Sequence, residues 1–474
     1  MNCATIFEEH SQVLAHWFGI GARGATLVYL DAHLDLQFID PARIARLAAC
    51  TDAGALAQLE STHCLSPDRS ACYGIEDFLY PAAQLGLLQR VVWVAPPHVL
   101  RGGMAMALRA LVQMEGVSIA DLESFHVVAG GAIEGRLLGV DLTICVLGQL
   151  ASLALSGPLL VDIDADYFVA VPADTVWASP PRVVSALRQV AGAKADVTIA
   201  RSVSSGFMPL RHRFIADYLA ALWEGRAADA QHWERLLDLE HHPSEAGYAE
   251  QLACRPGCAA SNHALALATT DPVARATLFE KAAQLDRAYG ADLLRRLGEY
   301  RARRLRLDLT TVRELQREVE ACQLDAARRA IAWIALGHLY IVCGRVEQAS
   351  ACDAASLLLQ QGGHPELALE IAKLHVAAGQ FNAALACLER AAADDETRVG
   401  AWLYMAECAH AMGQHQRATD VALRAARAAP AWPLVPQRMA AFAGARGDAV
   451  QAGSLLAQHG ALERRIATLV ARLS

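Results

Sequence analysis

The stretch Leu30-Asp31-Ala32-His33-Leu34-Asp35 begins at the last residue of a short run of β-forming apolar residues at positions 26–30. A second stretch, Val161-Asp162-Ile163-Asp164-Ala165-Asp166, follows a similar run at positions 158–161. Runs this short and apolar are typical of strands in a parallel sheet that is buried on both faces. Ligands bind beyond the carboxyl ends of such strands, so we expect both acidic segments to face one crevice. The pair therefore predicts an α/β domain with a polar, ligand-binding edge.

The side chains of these two segments are typical metal ligands. Because successive residues of a strand point to opposite faces, every second side chain lies on one side. That side would carry Asp31, His33, Asp35, Asp162 and Asp164. Carboxylates with imidazole suit Mn²⁺, Zn²⁺ or Fe²⁺, and two such clusters could hold two ions that share a water. Either segment alone is more typical of a solvated loop than of a metal site, but two of them, each following a buried strand, favour a metal site.

Length and composition set the broad class of the protein. A chain of 474 residues is expected to form two or three domains, and its net charge of −8 gives no global attraction to nucleic acid. The N-terminal residues lack the pattern of a signal peptide, and no charge-free apolar stretch is long enough to cross a membrane. The twelve cysteines follow no disulfide framework. These features predict a cytoplasmic protein with reduced thiols.

Alternating strand and helix signals predict an α/β domain over residues 1–212, with a mostly parallel sheet and flanking helices. A helical connecting region over 213–300 and helical repeats over 301–474 follow. In the first region we expect helices over residues 1–20, 41–60, 74–82, 99–114 and 180–192, and strands at 26–30, 91–94, 125–128, 158–161 and 196–200. A hairpin or a short strand pair is expected around Gly130-Gly131 and residues 136–145.

Four glycines recur near the end of the chain at spacings of 35, 34 and 34 residues: Gly344, Gly379, Gly413 and Gly447. Each is followed five residues later by an alanine: Ala349, Ala384, Ala418 and Ala452. Glycine ends a helix where a positive φ is needed, and alanine lets the next helix pack closely. The pattern resembles tetratricopeptide repeats over residues 328–460. Such solenoids bind an extended peptide or a helix in a concave groove, although a purely structural or dimerising solenoid has the same pattern.

The first half of the chain resembles the arginase and ureohydrolase family. The resemblance rests on Glu8-Glu9-His10-Ser11, on the segment from Asp31 to Asp35, and on Asp162-Ile163-Asp164. The segments around residues 75–82, 92–96 and 199–202 add a closer similarity to a short branch of this fold that includes the peptide arginases. Those enzymes convert arginine side chains of a ribosomally made precursor peptide into ornithine. The similarity covers residues 8–209 and implies nothing about the rest.

The resemblance implies a site that holds two Mn²⁺ ions. The ligands it implies are His10, Asp31, His33, Asp35, Asp162 and Asp164. A hydroxide between the ions would attack the guanidinium carbon, since such ions lower the pKa of water. Asp35 or Asp164 would pass the proton to the leaving amine.

One feature of the family is missing. Arginases place a glutamate near the end of the last strand to pair with the substrate guanidinium, whereas residues 200–209 contain no acid. A buried cation needs a carboxylate partner. Glu76 and Asp77 are the best substitutes, Glu76 also as a catalytic group, although both acids are equally explained by the dipole of a helix that begins there. Asp166 is a further candidate, as a carboxylate that steadies a ligand or contacts substrate.

The favoured interpretation is a dinuclear Mn²⁺ peptide arginase that releases urea. Its repeats would bind the leader of the precursor peptide or a partner enzyme of the same maturation pathway. Two alternatives remain: a small-molecule amidinohydrolase or deacetylase-type hydrolase, and a tetratricopeptide adaptor without catalysis. The sequence predicts no nucleic-acid or membrane partner and leaves the oligomeric state open.

Overall fold

The computed structural model describes residues 3–61, 63–171, 173–192, 195–303, 305, 307–359, 363–395 and 397–473. It divides into two compact units, each assembled from separated segments. Unit 1 comprises Met1–His10, Tyr29–Ala32 and Leu159–Leu305. Unit 2 comprises Ser11–Val28, His33–Pro158 and Arg306–Ser474. The three consecutive regions predicted above, with boundaries at 212 and 300, stay predictions.

The described residues contain ten strands. In chain order these are β1 (Ala4–Phe7), β2 (Ala25–Leu30), β3 (Leu88–Val94), β4 (His126–Val127), β5 (Ile133–Leu137), β6 (Val140–Cys145), β7 (Leu159–Asp164), β8 (Val169–Ala170), β9 (Thr175–Val176) and β10 (Asp196–Ala200). The pairs β1–β10, β10–β7 and β3–β6 are parallel. The mixed α/β region with a mostly parallel sheet, predicted from the sequence, is confirmed.

Twenty-two α-helices are described. They are α1 (Val13–Gly19), α2 (Pro41–Ala48), α3 (Ala53–Ala57), α4 (Leu79–Gln84), α5 (Met104–Ala110), α6 (Ile119–Ser124), α7 (Pro180–Ala191), α8 (Phe214–Glu224), α9 (Ala227–His241), α10 (Glu245–Cys254), α11 (Ala259–Ala268), α12 (Pro272–Leu285), α13 (Leu293–Ala302), α14 (Leu309–Ala321), α15 (Ala326–Val342), α16 (Val346–Leu359), α17 (Pro365–Ala377), α18 (Phe381–Ala391), α19 (Arg398–Ala411), α20 (His415–Ala428), α21 (Leu434–Ala445) and α22 (Ala449–Leu473). None of these described helices is long and apolar enough to cross a bilayer.

Unit 1 is built on three parallel strands. β1 pairs with β10, and β10 pairs with β7 in a register that sets Thr198 opposite Asp162 and Ala200 opposite Asp164. Helices α7 to α13 belong to the same unit, and α8 buries large side chains such as Phe214, Tyr218 and Trp223. The register matters for the site because it brings Thr198 of β10 beside Asp162 of β7.

Several element boundaries differ from the sequence predictions. The predicted helix over residues 1–20 is wrong at its start, because residues 4–7 form β1 and the helix begins at Val13. The predicted helix over 41–60 is broken into α2 and α3. The helix predicted at 74–82 begins only at Leu79, and that predicted over 99–114 begins at Met104. Strand β7 continues to Asp164, so Asp162 and Asp164 lie within the strand and not after it.

Unit 2 contains the paired strands β3 to β6 and the C-terminal helices. β3 pairs with β6 in parallel, whereas β6 and β5 form the predicted antiparallel hairpin, to which β4 is added. Within this unit the C-terminal helices contact the α/β segment. The Arg465 guanidinium donates to both carboxylate oxygens of Glu123 at 2.6 Å, and the Asp40 amide donates to Asp395 at 2.7 Å.

The C-terminal helices form the pairs that the glycine spacing predicts. The four glycines Gly344, Gly379, Gly413 and Gly447 have φ between 67° and 79°, in the left-handed region that favours glycine at a helix end. Of the four alanines that follow them, Ala349, Ala384 and Ala418 are fully buried. Apolar clusters join α17 to α19 and α19 to α21, as expected for a solenoid in which each repeat packs on its neighbour.

Candidate metal centre

Four of the predicted metal ligands lie together in unit 1. The His10 imidazole is at the centre: its Nε2 is 2.7 Å from Asp162 Oδ2, and its Nδ1 is 2.9 Å from Asp31 Oδ2 and 3.0 Å from Asp164 Oδ2. Ligand atoms of His10, Asp31 and Asp164 all lie within 4.8 Å of one another. All four side chains are at most 2% exposed. Residues separated by up to 154 positions thus form one compact polar cluster.

The backbone explains why these residues converge. Asp31 directly follows the last residue of β2, and Asp162 and Asp164 are alternate residues of β7, so both β7 carboxylates point to one side of the strand. His10 opens a short 3-10 turn after β1. The carboxyl ends of parallel strands form the expected ligand-binding edge of an α/β sheet.

Tyr29 fixes the position of Asp31. Its hydroxyl donates to Asp31 Oδ2 at 2.5 Å, and its ring stacks on His10 with centroids 5.4 Å apart and an angle of 15° between the planes. The sequence analysis assigned no role to Tyr29. Its position two residues before Asp31, on the same face of β2, is the signal that would have identified it.

Two hydroxyls of the neighbouring chain segment fix the other carboxylates. Thr198 Oγ1 donates to Asp162 Oδ1 at 2.5 Å, and Ser202 Oγ donates to Asp164 Oδ2 at 2.5 Å. Ser202 has a φ of +49°, which is uncommon for a residue other than glycine. These contacts follow from the β10–β7 register, which the sequence alone does not specify. Such hydrogen bonds orient carboxylate ligands and raise metal affinity.

The cluster carries more negative than positive charge. Burial alone would lower the pKa of His10, but Asp162 and Asp164 raise it well above the usual value. Burial raises the pKa of Asp162, although His10 opposes that effect. Three ionised carboxylates beside one imidazolium would leave an excess of negative charge in a water-excluded place, which bound protons or a further cation would have to balance. The imidazole of His10 and the carboxylates of Asp31 and Asp164 lie close enough to share a divalent ion such as Mn²⁺, Fe²⁺ or Zn²⁺, while Asp162 lies at the other nitrogen of the His10 ring.

Asp166 lies beside this cluster. It is 5% exposed, its backbone N–H donates to Asp164 Oδ1 at 2.9 Å, and its Oδ1 accepts from the Ala32 N–H at 3.4 Å. Asp166 therefore links the chain after Asp31 to the end of β7. This position suits the predicted role of a carboxylate that steadies a ligand.

The two acids before His10 anchor the segment. Glu8 accepts two hydrogen bonds from the Arg213 guanidinium, at 2.5 and 2.7 Å. Glu9 accepts from the Ser205 N–H at 2.9 Å, and burial raises the pKa of Glu9 to about 7. Both contacts tie the turn that carries His10 to the chain after β10.

The remaining predicted site residues belong to unit 2. His33 is exposed, and Asp35 has a φ of +39° while its carbonyl accepts from the Leu79 N–H. Glu76 and Asp77 lie in the turn before α4, so the alternative that they are acids of the first turn of a helix is wrong.

Asp77 already has partners. Its Oδ1 accepts from the Gly74 N–H at 2.7 Å, and its Oδ2 is 3.7 Å from the Arg43 guanidinium. Burial raises the pKa of Asp77 to about 7. Of the two acids proposed to bind a guanidinium, Glu76 is therefore the better candidate, because Arg43 and the Gly74 N–H compete for the Asp77 carboxylate.

Comparison with known proteins bears on the C-terminal region. The tetratricopeptide-repeat family model matches residues 375–441, and no curated protein matches the chain. The family model covers none of residues 3–374, so the arginase resemblance stays a prediction from the sequence.

Solved structures that resemble the chain include MamA, the TPR protein YrrB and PilF of Pseudomonas aeruginosa. MamA is 15% identical, with 35% of this chain and 99% of MamA covered and a TM-score of 0.28. YrrB is 15% identical, with 47% of this chain and 94% of YrrB covered and a TM-score of 0.27. PilF is 18% identical, with 46% of this chain and 90% of PilF covered and a TM-score of 0.26. TM-scores this low carry no weight here. The family match and the helix pairs with their recurring glycines together identify the C-terminal helices as a tetratricopeptide-repeat region.

Proposed function

We propose that the cluster in unit 1 binds divalent metal and that the chain is a metal-dependent hydrolase. The observation that carries the proposal is the set of three buried carboxylates around His10, with ligand atoms of His10, Asp31 and Asp164 within 4.8 Å of one another. A divalent cation would balance the charge of these carboxylates, whereas without one the cluster has to take up protons to avoid an excess of negative charge in the interior. When bound, the ion would act as a Lewis acid that activates water for hydrolysis.

The protein side chains around the ion have separate tasks in this proposal. His10, Asp31 and Asp164 would hold one cation, and Asp162 would complete the centre, as the arginase resemblance implies. Tyr29, Thr198 and Ser202 hold the three carboxylates in fixed orientations through hydrogen bonds of 2.5 Å. Preorganised ligands of this kind keep metal affinity high because no side chain has to reorient on binding.

The favoured metal is Mn²⁺, in a centre of two ions, as the arginase resemblance implies. The second ion would need His33 and Asp35, which follow Asp31 by two and four residues in the sequence. Asp35 or Asp164 would accept and pass on a proton during the reaction. One ion per chain would instead restrict the centre to the four residues of unit 1.

The proposed substrate is an arginine side chain in a ribosomally made peptide, hydrolysed to ornithine and urea. Glu76 would pair with the cationic guanidinium, since a buried cation needs a carboxylate partner. The tetratricopeptide region would bind the leader of this peptide or a partner enzyme, because such solenoids commonly hold peptides in a concave groove. Binding at a second place raises the effective concentration of the reacting arginine.

A urea-release assay tests the hydrolase proposal. The parent and an Asp164→Asn variant would be supplied with Mn²⁺ and incubated with arginine-containing peptides, agmatine and free arginine. We expect urea from peptides, little from the small molecules, and none from the variant. Faster release from agmatine or free arginine would instead support a small-molecule amidinohydrolase. Equal release from parent and variant would exclude the unit 1 cluster as the catalytic site.

A second candidate function is a tetratricopeptide adaptor without catalysis. The match of residues 375–441 to the repeat family favours a protein-binding role whether or not unit 1 is active. The adaptor predicts that metal removal leaves partner binding unchanged and that no substrate is turned over. Urea release by the Mn²⁺-loaded full chain, measured beside a pull-down of the metal-free and the loaded chain, distinguishes the two functions, because only the hydrolase turns substrate over.

A further inference from the structure

A second cluster of metal-ligand side chains lies in unit 2, within the tetratricopeptide region. It consists of His338 in α15, His364 directly before α17, and Glu366 in the first turn of α17. Ligand atoms of these three residues lie within 4.8 Å of one another. The two histidines are only 7% and 8% exposed, and Glu366 is partly exposed. We propose that this triad, here called the repeat triad, is a transition-metal site of the Zn²⁺ class.

Close helix packing creates the repeat triad. Gly337, next to His338, faces α17: a Cβ added there would come within 2.8 Å of Leu367 Cδ2. The absence of a side chain at Gly337 therefore lets α15 approach α17 closely enough to set His338 beside His364 and Glu366. The ring centroids of the two histidines are 6.1 Å apart and nearly perpendicular, at 77°.

The hydrogen bond of His364 selects the nitrogen that faces the metal. Its Nε2 is 3.1 Å from the carbonyl oxygen of Cys64, which can only accept, so Nε2 carries the proton. The neutral ring then has its lone pair on Nδ1. Metal-binding histidines commonly donate their second ring N–H to a backbone carbonyl, which fixes the tautomer and the ring orientation.

The distances in the repeat triad suit an ion better than a direct contact. His338 Nε2 is 3.8 Å from Glu366 Oε2, which is too long for a hydrogen bond. Two ligand atoms on one tetrahedral zinc are about 3.4 Å apart, given bond lengths of about 2.0–2.2 Å. A shift of about half an ångström would therefore bring both atoms into the coordination sphere of one ion. Two imidazoles and one carboxylate are a common zinc ligand set that leaves one position open.

The place of the repeat triad suggests what the ion would do. His364 and Glu366 line a cleft of about 210 Å³ in unit 2, and the same cleft is lined by Glu76 and Asp77. The ion would join α15 to the start of α17 and, through the His364–Cys64 hydrogen bond, to the loop that forms another wall of the cleft. The open coordination position would be taken by water or by a donor atom of a molecule in the cleft. This proposal stands independently of the centre in unit 1.

Zinc titration of the full chain tests the proposal. Protein freed of metal by a chelator would be titrated with Zn²⁺ in parallel with His338→Gln, His364→Gln and Glu366→Gln variants. His375→Gln, in the same helix as Glu366 but outside the repeat triad, is the matched control. An Asp162→Asn variant removes a ligand of unit 1 and shows which equivalents belong to that centre. Circular dichroism establishes that each variant is folded, and Co²⁺ absorption reports the geometry of the bound ion.

We expect one equivalent of Zn²⁺ to bind at the repeat triad of the parent, and also in the His375→Gln control and in the Asp162→Asn variant. The His338→Gln and His364→Gln variants should lack this equivalent. Loss of the Glu366 carboxylate should weaken that equivalent by about 10- to 100-fold or more. Folded His338→Gln and His364→Gln variants that bind Zn²⁺ with the stoichiometry and affinity of the parent would overturn the proposal. A failure of the unit 1 centre would appear separately, as identical metal binding by the parent and the Asp162→Asn variant.

Discussion

Replacement of Thr198 by valine tests how the strand register supports the centre in unit 1. Valine keeps the β-branched shape of threonine but removes the hydroxyl that donates to Asp162 Oδ1 at 2.5 Å. Both residues are fully buried, so no water replaces the lost hydrogen bond. Hydrogen bonds to metal-binding carboxylates are worth about 10- to 100-fold in metal affinity. That range corresponds to about 1.4–2.7 kcal/mol.

The assay for Thr198→Val is the Mn²⁺ dissociation constant, measured by competition with a chelator. Thr5→Val is the matched control, because Thr5 lies opposite Thr198 on β1. It should keep the affinity of the parent within about twofold, which corresponds to the roughly 0.5 kcal/mol typical of changes away from such contacts. The reasoning is refuted if Thr198→Val binds Mn²⁺ as tightly as Thr5→Val does.

Three further results are expected. Burial lowers the pKa of His212 to about 3 and that of His263 to about 4, so both are neutral in the folded chain while the unfolded chain takes up protons below pH 6.5. The free energy of unfolding should therefore fall as the pH drops from about 6.5 to 5, by about 2 kcal/mol for each histidine. Thermal unfolding at several pH values measures this, and the stability of a His212→Asn, His263→Asn double variant should depend less on pH. Gly206→Ala should destabilise the chain by about 3 kcal/mol or more, because φ at this position is +89° and the new Cβ would lie 2.2 Å from the Gly298 carbonyl carbon. A melting temperature equal to that of the parent would contradict this prediction. Ala418→Leu should overpack the core of the repeats at a cost of about 1–3 kcal/mol in stability, and the C-terminal helices should therefore be cleaved faster by a protease. Cleavage as slow as that of the parent would show that the repeats can accommodate the larger side chain.

Sequence reasoning identified the elements with strong local signals. Short apolar runs marked β2, β3 and β10, and the glycine spacing marked the helix pairs of the repeats. It missed β1, because a strand of four residues has no periodic pattern of its own. β1 is stabilised by pairing with β10, about 190 residues away, and such pairing leaves no local trace.

The candidate site was predicted only in part, because contacts between residues far apart in the sequence decide where its acids lie. Asp162 and Asp164 were expected after the strand, since acids are unfavourable within strands, but β7 continues through both. Contacts from distant residues, such as Thr198 and Ser202, make the acids acceptable there. At Asp77 the local signal was incomplete, because its carboxylate accepts the Gly74 N–H and so stabilises a turn before the helix.

Elemental analysis of the full chain, expressed with added Mn²⁺, shows whether the cluster around His10 is a metal centre. The comparison is an Asp31→Asn, Asp162→Asn double variant, which keeps the side-chain volumes but removes two carboxylate charges. The proposed function predicts between about one and two Mn²⁺ per parent chain and almost none in a folded variant. A parent chain without metal, or equal metal in both proteins, would contradict it and leave the tetratricopeptide region as the functional part of the molecule.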